Sequence, residues 1–229
     1  MTNSEKRVEE MENNMVGLDD IMTFSCDNCG KCCCNTFGLT VSPFDIYRIS
    51  RQLSITPDEW IDLYGECYIG ETSRLPNVII KQIGKHKRCP FLRDNFCSVH
   101  KVKPDVCAIY PLGRGMKIIE DKPTDEVVYF LTERDCGNNN GNGTVKEYLK
   151  KMGLLKHEEY FIKWTNIISK SYEFITGLLN EDVLPDELEK YYSLMFGLLY
   201  KRYNIFEQFE PQFEENVEIW TQVMNDYKV

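Results

Sequence analysis

Residues 26–34 read CDNCGKCCC, five cysteines in nine positions, ending in the consecutive Cys32, Cys33 and Cys34. No apolar core requires thiols at that density, so the run answers to covalent or metal chemistry. Disulfides fit it poorly. Their geometry places alpha carbons roughly 5.5 Å apart, while chain neighbours are held at about 3.8 Å, so the triplet would need three separate distant partners. Metal fits better. Cys26-x2-Cys29-x2-Cys32 lets short loops turn successive sulfurs toward one centre, Gly30 eases the turn, and the peptide amides of such a loop can stabilise thiolate charge. The same three-cysteine spacing occurs in bacterial ferredoxin runs, where a further cysteine precedes proline, and Cys89-Pro90 offers such a cysteine at a distance.

All ten cysteines lie between Cys26 and Cys136. Cys89, Cys97 and Cys107 fall within CPFLRDNFCSVHKVKPDVCAIYP, and Cys136 follows. A single tetrahedral centre takes four thiolates, so the surplus predicts either two centres or one cluster with additional reactive thiols. The vicinal pair Cys32-Cys33 fits two, because neighbouring side chains diverge. Cys67, between two apolar-periodic segments, reads as a small buried residue. Cys34 reads as a spare ligand or a redox-exposed thiol. His86 and His100 flank cysteines and are secondary ligand candidates, whereas His157 stands among acids on a helix and reads as surface. Residues 81–103 hold seven lysines and arginines against Asp94 alone, either as counter-charge for a thiolate site or as the solvated face of a loop.

The chain of 229 residues carries a formal net charge of -9, which lacks the electrostatic footprint of a nucleic-acid binder or a polybasic membrane-surface protein. MTNSEKRVEEMENN is acidic where a secretory signal needs a basic end and an apolar stretch, and no apolar run approaches the roughly 18 residues that span a bilayer. The expected location is the cytoplasm, where reduced thiols favour metal over disulfides.

The expected fold is α+β: a small sheet pinned by metal and flanked by short helices, followed by a helical bundle or hairpin set. The expected organisation is an acidic flexible leader over 1–20, a cysteine-cluster metal-binding domain over 21–143 and a helical region over 144–229. Ser42 with Pro43, and Thr56 with Pro57 and Glu59, read as two helix starts. NVIIKQI (77–83), MKIIE (116–120) and VVYFLTE (127–133) read as strands of the sheet. GNNNGNG (137–143) reads as a flexible linker, with Thr144 and Glu147 capping the helix after it. Beyond it, three stripes predict core-facing helices: Phe161, Trp164, Ile168, Tyr172, Ile175 and Leu179; then Leu188, Tyr192, Met195 and Leu199; then Phe213, Val217, Trp220, Met224 and Tyr227.

CDNCGKCC, SPFDIYRIS, the CPFL segment and a last cysteine together resemble the YkgJ-type cysteine-cluster family over roughly residues 24–150. That family is described as chelating zinc or iron. The resemblance implies a ligand set of Cys26, Cys29, Cys32, Cys33, Cys89, Cys97, Cys107 and Cys136, two sets of four that leave out Cys34 and Cys67. The chain departs from the family pattern at His100, where an aromatic is usual, and at Lys103 and Ala108, where arginines are usual.

Three functions follow. The first is a metal-binding protein holding an iron-sulfur cluster, in electron transfer or cluster handling with a redox or protein partner. The second is an interaction module stabilised by zinc, the alternative cofactor. The third is implied by resemblance alone: a related group includes flagellin lysine N-methylases, which use S-adenosylmethionine. The CxxxCxxC spacing of radical enzymes is absent, and Gly113-Arg114-Gly115 is too short a pattern for a nucleotide loop.

Overall fold

The computed structural model describes residues 11–27, 30–33, 38–119, 122–134, 136–181 and 183–227, with the side chains of Cys32 and Lys122 outside that description. In chain order the elements are β1 (Met15–Val16), α1 (Pro43–Leu53), α2 (Pro57–Tyr64), β2 (Gly65–Ile69), β3 (Pro76–Ile80), β4 (Leu92–Arg93), β5 (Phe96–Cys97), α3 (Asp105–Ile109), β6 (Leu112–Ile119), β7 (Lys122–Leu131), α4 (Val145–Lys151), α5 (Glu158–Asn180), α6 (Pro185–Phe196) and α7 (Phe209–Tyr227). The chain is α+β, with small sheets and a helical C-terminal region. Among the described residues, no helix is long and apolar enough to cross a membrane. Two compact units form, each from two separate stretches: Met1–Cys32 with Asp105–Asn166, and Cys33–Pro104 with Ile167–Val229.

The first unit is built on the antiparallel sheet β1-β7-β6, in which Met15 pairs with Phe130 and Leu112 with Leu131. Alternation along β6 and β7 turns Leu112 and Tyr129 into a core shared with Met22, Phe24, Ala108, Ile109, Val145, Leu149 and Leu154. Thr144 caps α4 as expected, its hydroxyl accepting from the Glu147 N–H while the Glu147 carboxylate accepts from the Thr144 N–H. Of the acidic leader, residues 1–10 lie outside the described residues. From Met15 onward the backbone is tied in, and the carbonyls of Leu18 and Asp20 accept from Lys146 and Val145.

GNNNGNG is not a linker in this unit. Ser25 and Asn138 exchange two backbone hydrogen bonds, the N–H of Gly141 donates to Thr23, and the N–H of Met22 donates to Gly143. Gly137 has φ of 74°, and a Cβ there would stand 2.3 Å from Phe24 and 2.7 Å from the Ser25 carbonyl. The glycines allow this segment to lie against residues 22–25, which lead into the cysteine run, a long-range pairing that composition cannot reveal.

The second unit opens with two capping boxes. The Ser42 and Thr56 hydroxyls each accept from an N–H one turn on, at 3.2 Å, and Asp45 and Glu59 reach back. The strands expected in one sheet divide here. NVII belongs to the β2-β3 hairpin with Gly65–Ile69, while β4 and β5 form a third, two-stranded sheet. Short apolar runs name a strand but not its partner. On α5 the buried residues are Ile167, Ser171, Phe174, Ile175 and Leu178, so the expected stripe is rotated and Tyr172 and Leu179 are exposed. The centre of that face is polar. The Ser171 hydroxyl donates to Ile167 at 2.7 Å and accepts from the Trp220 indole at 2.8 Å, so an apolar count misses it. Phe213, Trp220 and Met224 of α7 are buried as expected.

Gly137→Ala is expected to destabilise the protein by more than about 1 kcal/mol, since it adds strain at positive φ to a backbone clash. Urea unfolding of the two proteins at equal metal content measures it.

Candidate metal centre

In the first unit the Ser25–Asn138 exchange sets Cys26 beside the segment that begins with Cys136. The Asn138 side chain donates to the Asp27 carboxylate and closes the same corner. The Cys136 sulfur lies 3.6 Å from the Tyr110 hydroxyl. The thiol donates as drawn, and on ionisation the phenol becomes the donor to a thiolate. Tyr110 directly follows α3, which carries Cys107. Phe24 meets the rings of Tyr110 and Tyr148 edge-on, at 5.9 and 6.2 Å, and the Tyr148 hydroxyl donates to the Tyr110 carbonyl at 2.5 Å. Burial pushes the Tyr148 hydroxyl above its ordinary pKa, and the negative charge of ionised Cys26 adds to the effect. Cys26 thus lies within electrostatic reach of this aromatic cluster. Phe24 and Ala108, in one core, hold the approaches to Cys26 and Cys107.

In the second unit the Cys89 N–H donates to the Cys33 carbonyl at 2.9 Å. Leu92 donates back to the Cys89 carbonyl at 3.1 Å and pairs across the β4-β5 hairpin with Cys97. Asp94 and Asn95, at φ 48° and 65°, make the left-handed two-residue turn that such a hairpin requires. Phe91, 3 % exposed, packs at 4.8 Å from Tyr64 and anchors the loop in the unit's core. Backbone bonds therefore bring the Cys33, Cys89 and Cys97 positions into one small knot.

The expected ligands are placed unevenly. Cys26, Cys107 and Cys136 belong to the first unit, Cys33, Cys89 and Cys97 to the second, and the unit boundary falls between Cys32 and Cys33. Cys32 stands in a 3-10 turn over Lys31–Cys33, preceded by a buried Gly30 at φ 69°. Its side chain, Cys29 and Cys34 lie outside the described residues. Among the described residues, no three His, Cys, Asp or Glu side chains form a group that could hold a metal ion. What fits a metal is the donor chemistry: thiols on loops whose peptide groups and a phenol are at hand, a set suited to zinc or iron.

Cys67 is exposed on β2, not buried as its neighbours suggest: β2 is exposed from Glu66 to Ile69, although Val78 opposite Cys67 on β3 is buried. Partial desolvation still raises its thiol pKa, against the pull of Lys201 and Lys81. His86 and His100 are exposed. Burial is the main cause that lowers the His100 pKa, with Lys103 adding to it. His157 is not a surface residue, since its Nδ1 faces the Asp105 carboxylate at 2.9 Å. Sequence reasoning also missed Tyr110 and Tyr148. AIYP after Cys107 was the available signal for the first, and nothing local marked the second.

Residues 25–137 match the sequence model of the CxxCxxCC family, described as "Putative zinc- or iron-chelating domain". This stretch is a CxxCxxCC domain. No curated protein and no solved structure matches the chain. The CxxCxxCC domain covers the cysteine run and all four downstream cysteines from Cys89 to Cys136.

Tyr110→Phe removes the hydroxyl at the Cys136 sulfur. It is expected to weaken metal retention against a chelator by about 10-fold, the lower end for an outer-shell partner. Cys67→Ser is expected to leave metal content unchanged, and elemental analysis of both proteins reads the contrast.

Proposed function

We propose that the chain is a metal-binding protein that holds iron-sulfur chemistry through its clustered cysteines, with Cys26, Cys29, Cys32, Cys33, Cys89, Cys97, Cys107 and Cys136 as the candidate ligands, in electron transfer or cluster handling. The supporting observation is the thiol surplus within the matched stretch: eight candidate cysteines, twice what one four-thiolate centre takes. The C-x2-C-x2-C spacing and the cysteine-proline step favour a cluster over single ions. Residues 21–143 form the metal-binding domain on this reading, residues 144–229 accompany it as the helical region, and the partner is a redox protein of the cytoplasm. When bound, the cluster supplies one-electron chemistry. The chain's own residues shield the thiolates and direct donors at them.

One observation favours zinc and an interaction module. β4 and β5 are two residues each, too short to be stable unaided, and a structural metal on Cys89 and Cys97 would supply the missing folding free energy.

Anaerobic purification followed by elemental analysis and visible absorption decides between them. The expected result is a brown protein with about four irons per chain. A colourless protein with two zinc ions would overturn the cluster reading and leave the module.

A further inference from the structure

Helix α3 is only Asp105–Ile109, a little over one turn, and so short a helix does not fix its own direction. Cys107 leaves from its middle. At its first residue the Asp105 carboxylate is buried, the residue being 8 % exposed, and two other elements of the first unit grip it. Arg114 on β6 donates from Nη2 to Oδ2 at 3.1 Å, and His157, ending the 3-10 turn before α5, faces Oδ1 through Nδ1 at 2.9 Å. Arg114 is itself immobilised. Its guanidinium carbon sits 3.9 Å over the Phe161 ring, and its side chain is only 9 % exposed. Its strand partner Tyr129 donates to Glu158 at 3.2 Å.

This network is a poor source of net stability. The Arg114 Nη1 is buried with no hydrogen-bond partner among the described residues, a cost that offsets the pair's attraction. Buried ion pairs of this kind can often be replaced by apolar side chains without loss. What such a replacement cannot supply is direction, because two charge-assisted hydrogen bonds to separate carboxylate oxygens fix an angle that apolar contacts leave loose.

We propose that Asp105 is a positioning residue for the metal centre: gripped by Arg114 and His157, it orients α3 so that the Cys107 thiol points at its site. The inference rests on the reading of Cys107 as a ligand. It adds that the ligand is held from outside the cysteine motif, by residues 7 and 50 positions further along the chain than Cys107, on a strand and a helical turn.

Four full-length proteins test it: wild type, Asp105→Asn, the double variant Asp105→Leu with Arg114→Met, and Cys107→Ser. Each is reduced, stripped of metal and titrated with Co2+ alone under anaerobic conditions, with the thiolate-to-cobalt absorption band as readout. Metal content as purified and the urea midpoint of the stripped protein are measured alongside. Both Asp105 variants are expected to bind Co2+ about 10- to 100-fold more weakly, the range for outer-shell partners, with the midpoint of the double variant no lower than wild type. Cys107→Ser is expected to lose part of the band. If Cys107→Ser loses it while both Asp105 variants bind within twofold of wild type, the positioning role is overturned and the ligand reading stands. A loss of affinity that scales with a fall in urea midpoint would also overturn it, in favour of a structural role. Full binding by Cys107→Ser would overturn the ligand reading and this inference together.

Discussion

In the first unit of the chain, the pair of backbone hydrogen bonds between Ser25 and Asn138 is the tie on which the approach to the cysteine run depends. It joins the entrance of the cysteine run to the loop after the last cysteine, across more than a hundred residues of chain. Closing a loop of that length costs on the order of 4 kcal/mol, since the cost grows only with the logarithm of length. Two backbone hydrogen bonds at about 1 kcal/mol each and burial of the Phe24 ring at about 2 kcal/mol offset it. The closure is therefore close to balanced without metal. A bound ion would be needed for the precision of the thiols more than for bringing the segments together.

The legible parts of the fold are those set by neighbours in sequence. Three helix starts, at Ser42, Thr56 and Thr144, appear where a hydroxyl, a proline or an acid three residues on demanded them. The close spacing of the cysteine run is a local signal of the same kind, and the match over residues 25–137 bears out the family it pointed to. What failed was every question about distant partners. NVII was read as a strand and is one, but its partner is Gly65–Ile69 and not the β6-β7 hairpin. The glycine and asparagine loop was read as loose because its composition permits that, while its actual hydrogen bonds run to residues 22–25. Ser171 broke the apolar stripe of α5 since its value lies in the Trp220 indole it accepts from. His157 looked exposed among its acidic neighbours, and its partner is a carboxylate 52 positions away.

The basic segment 81–103 shows how a composition signal divides once side chains are placed. Lys81 donates to the Asp62 carbonyl at 2.5 Å, and the Lys103 carbonyl accepts from Arg48. Lys85, Lys87, Arg88 and Arg93 are exposed around the turn that leads into Cys89 and along the hairpin after it. At such positions water and salt screen a charge over about 8 Å, so these residues act on thiolates as a diffuse field. Contact donors act differently. The Tyr110 hydroxyl, 3.6 Å from the half-buried Cys136 sulfur, is a directed group, and water screens such a contact less than it screens a remote exposed lysine.

That contrast bears on how one chain can keep eight thiols from behaving alike. The thiols of the first unit stand among Phe24, Tyr110 and Tyr148, with Asp105 and Arg114 behind the helix that carries Cys107. Those of the second stand on a backbone knot of Cys33, Cys89 and the β4-β5 hairpin, with the exposed basic turn as their electrostatic surroundings. Exposure does not separate the two sets, since Cys26 is exposed and the other described candidate ligands of both units are half-buried; what differs is the phenol beside Cys136 and the exposed basic turn before Cys89. Thiols with such different neighbours would differ in affinity as metal ligands, because affinity follows hydrogen bonding and exposure at sulfur. The division of the run between Cys32 and Cys33 is the point in the sequence where one setting gives way to the other.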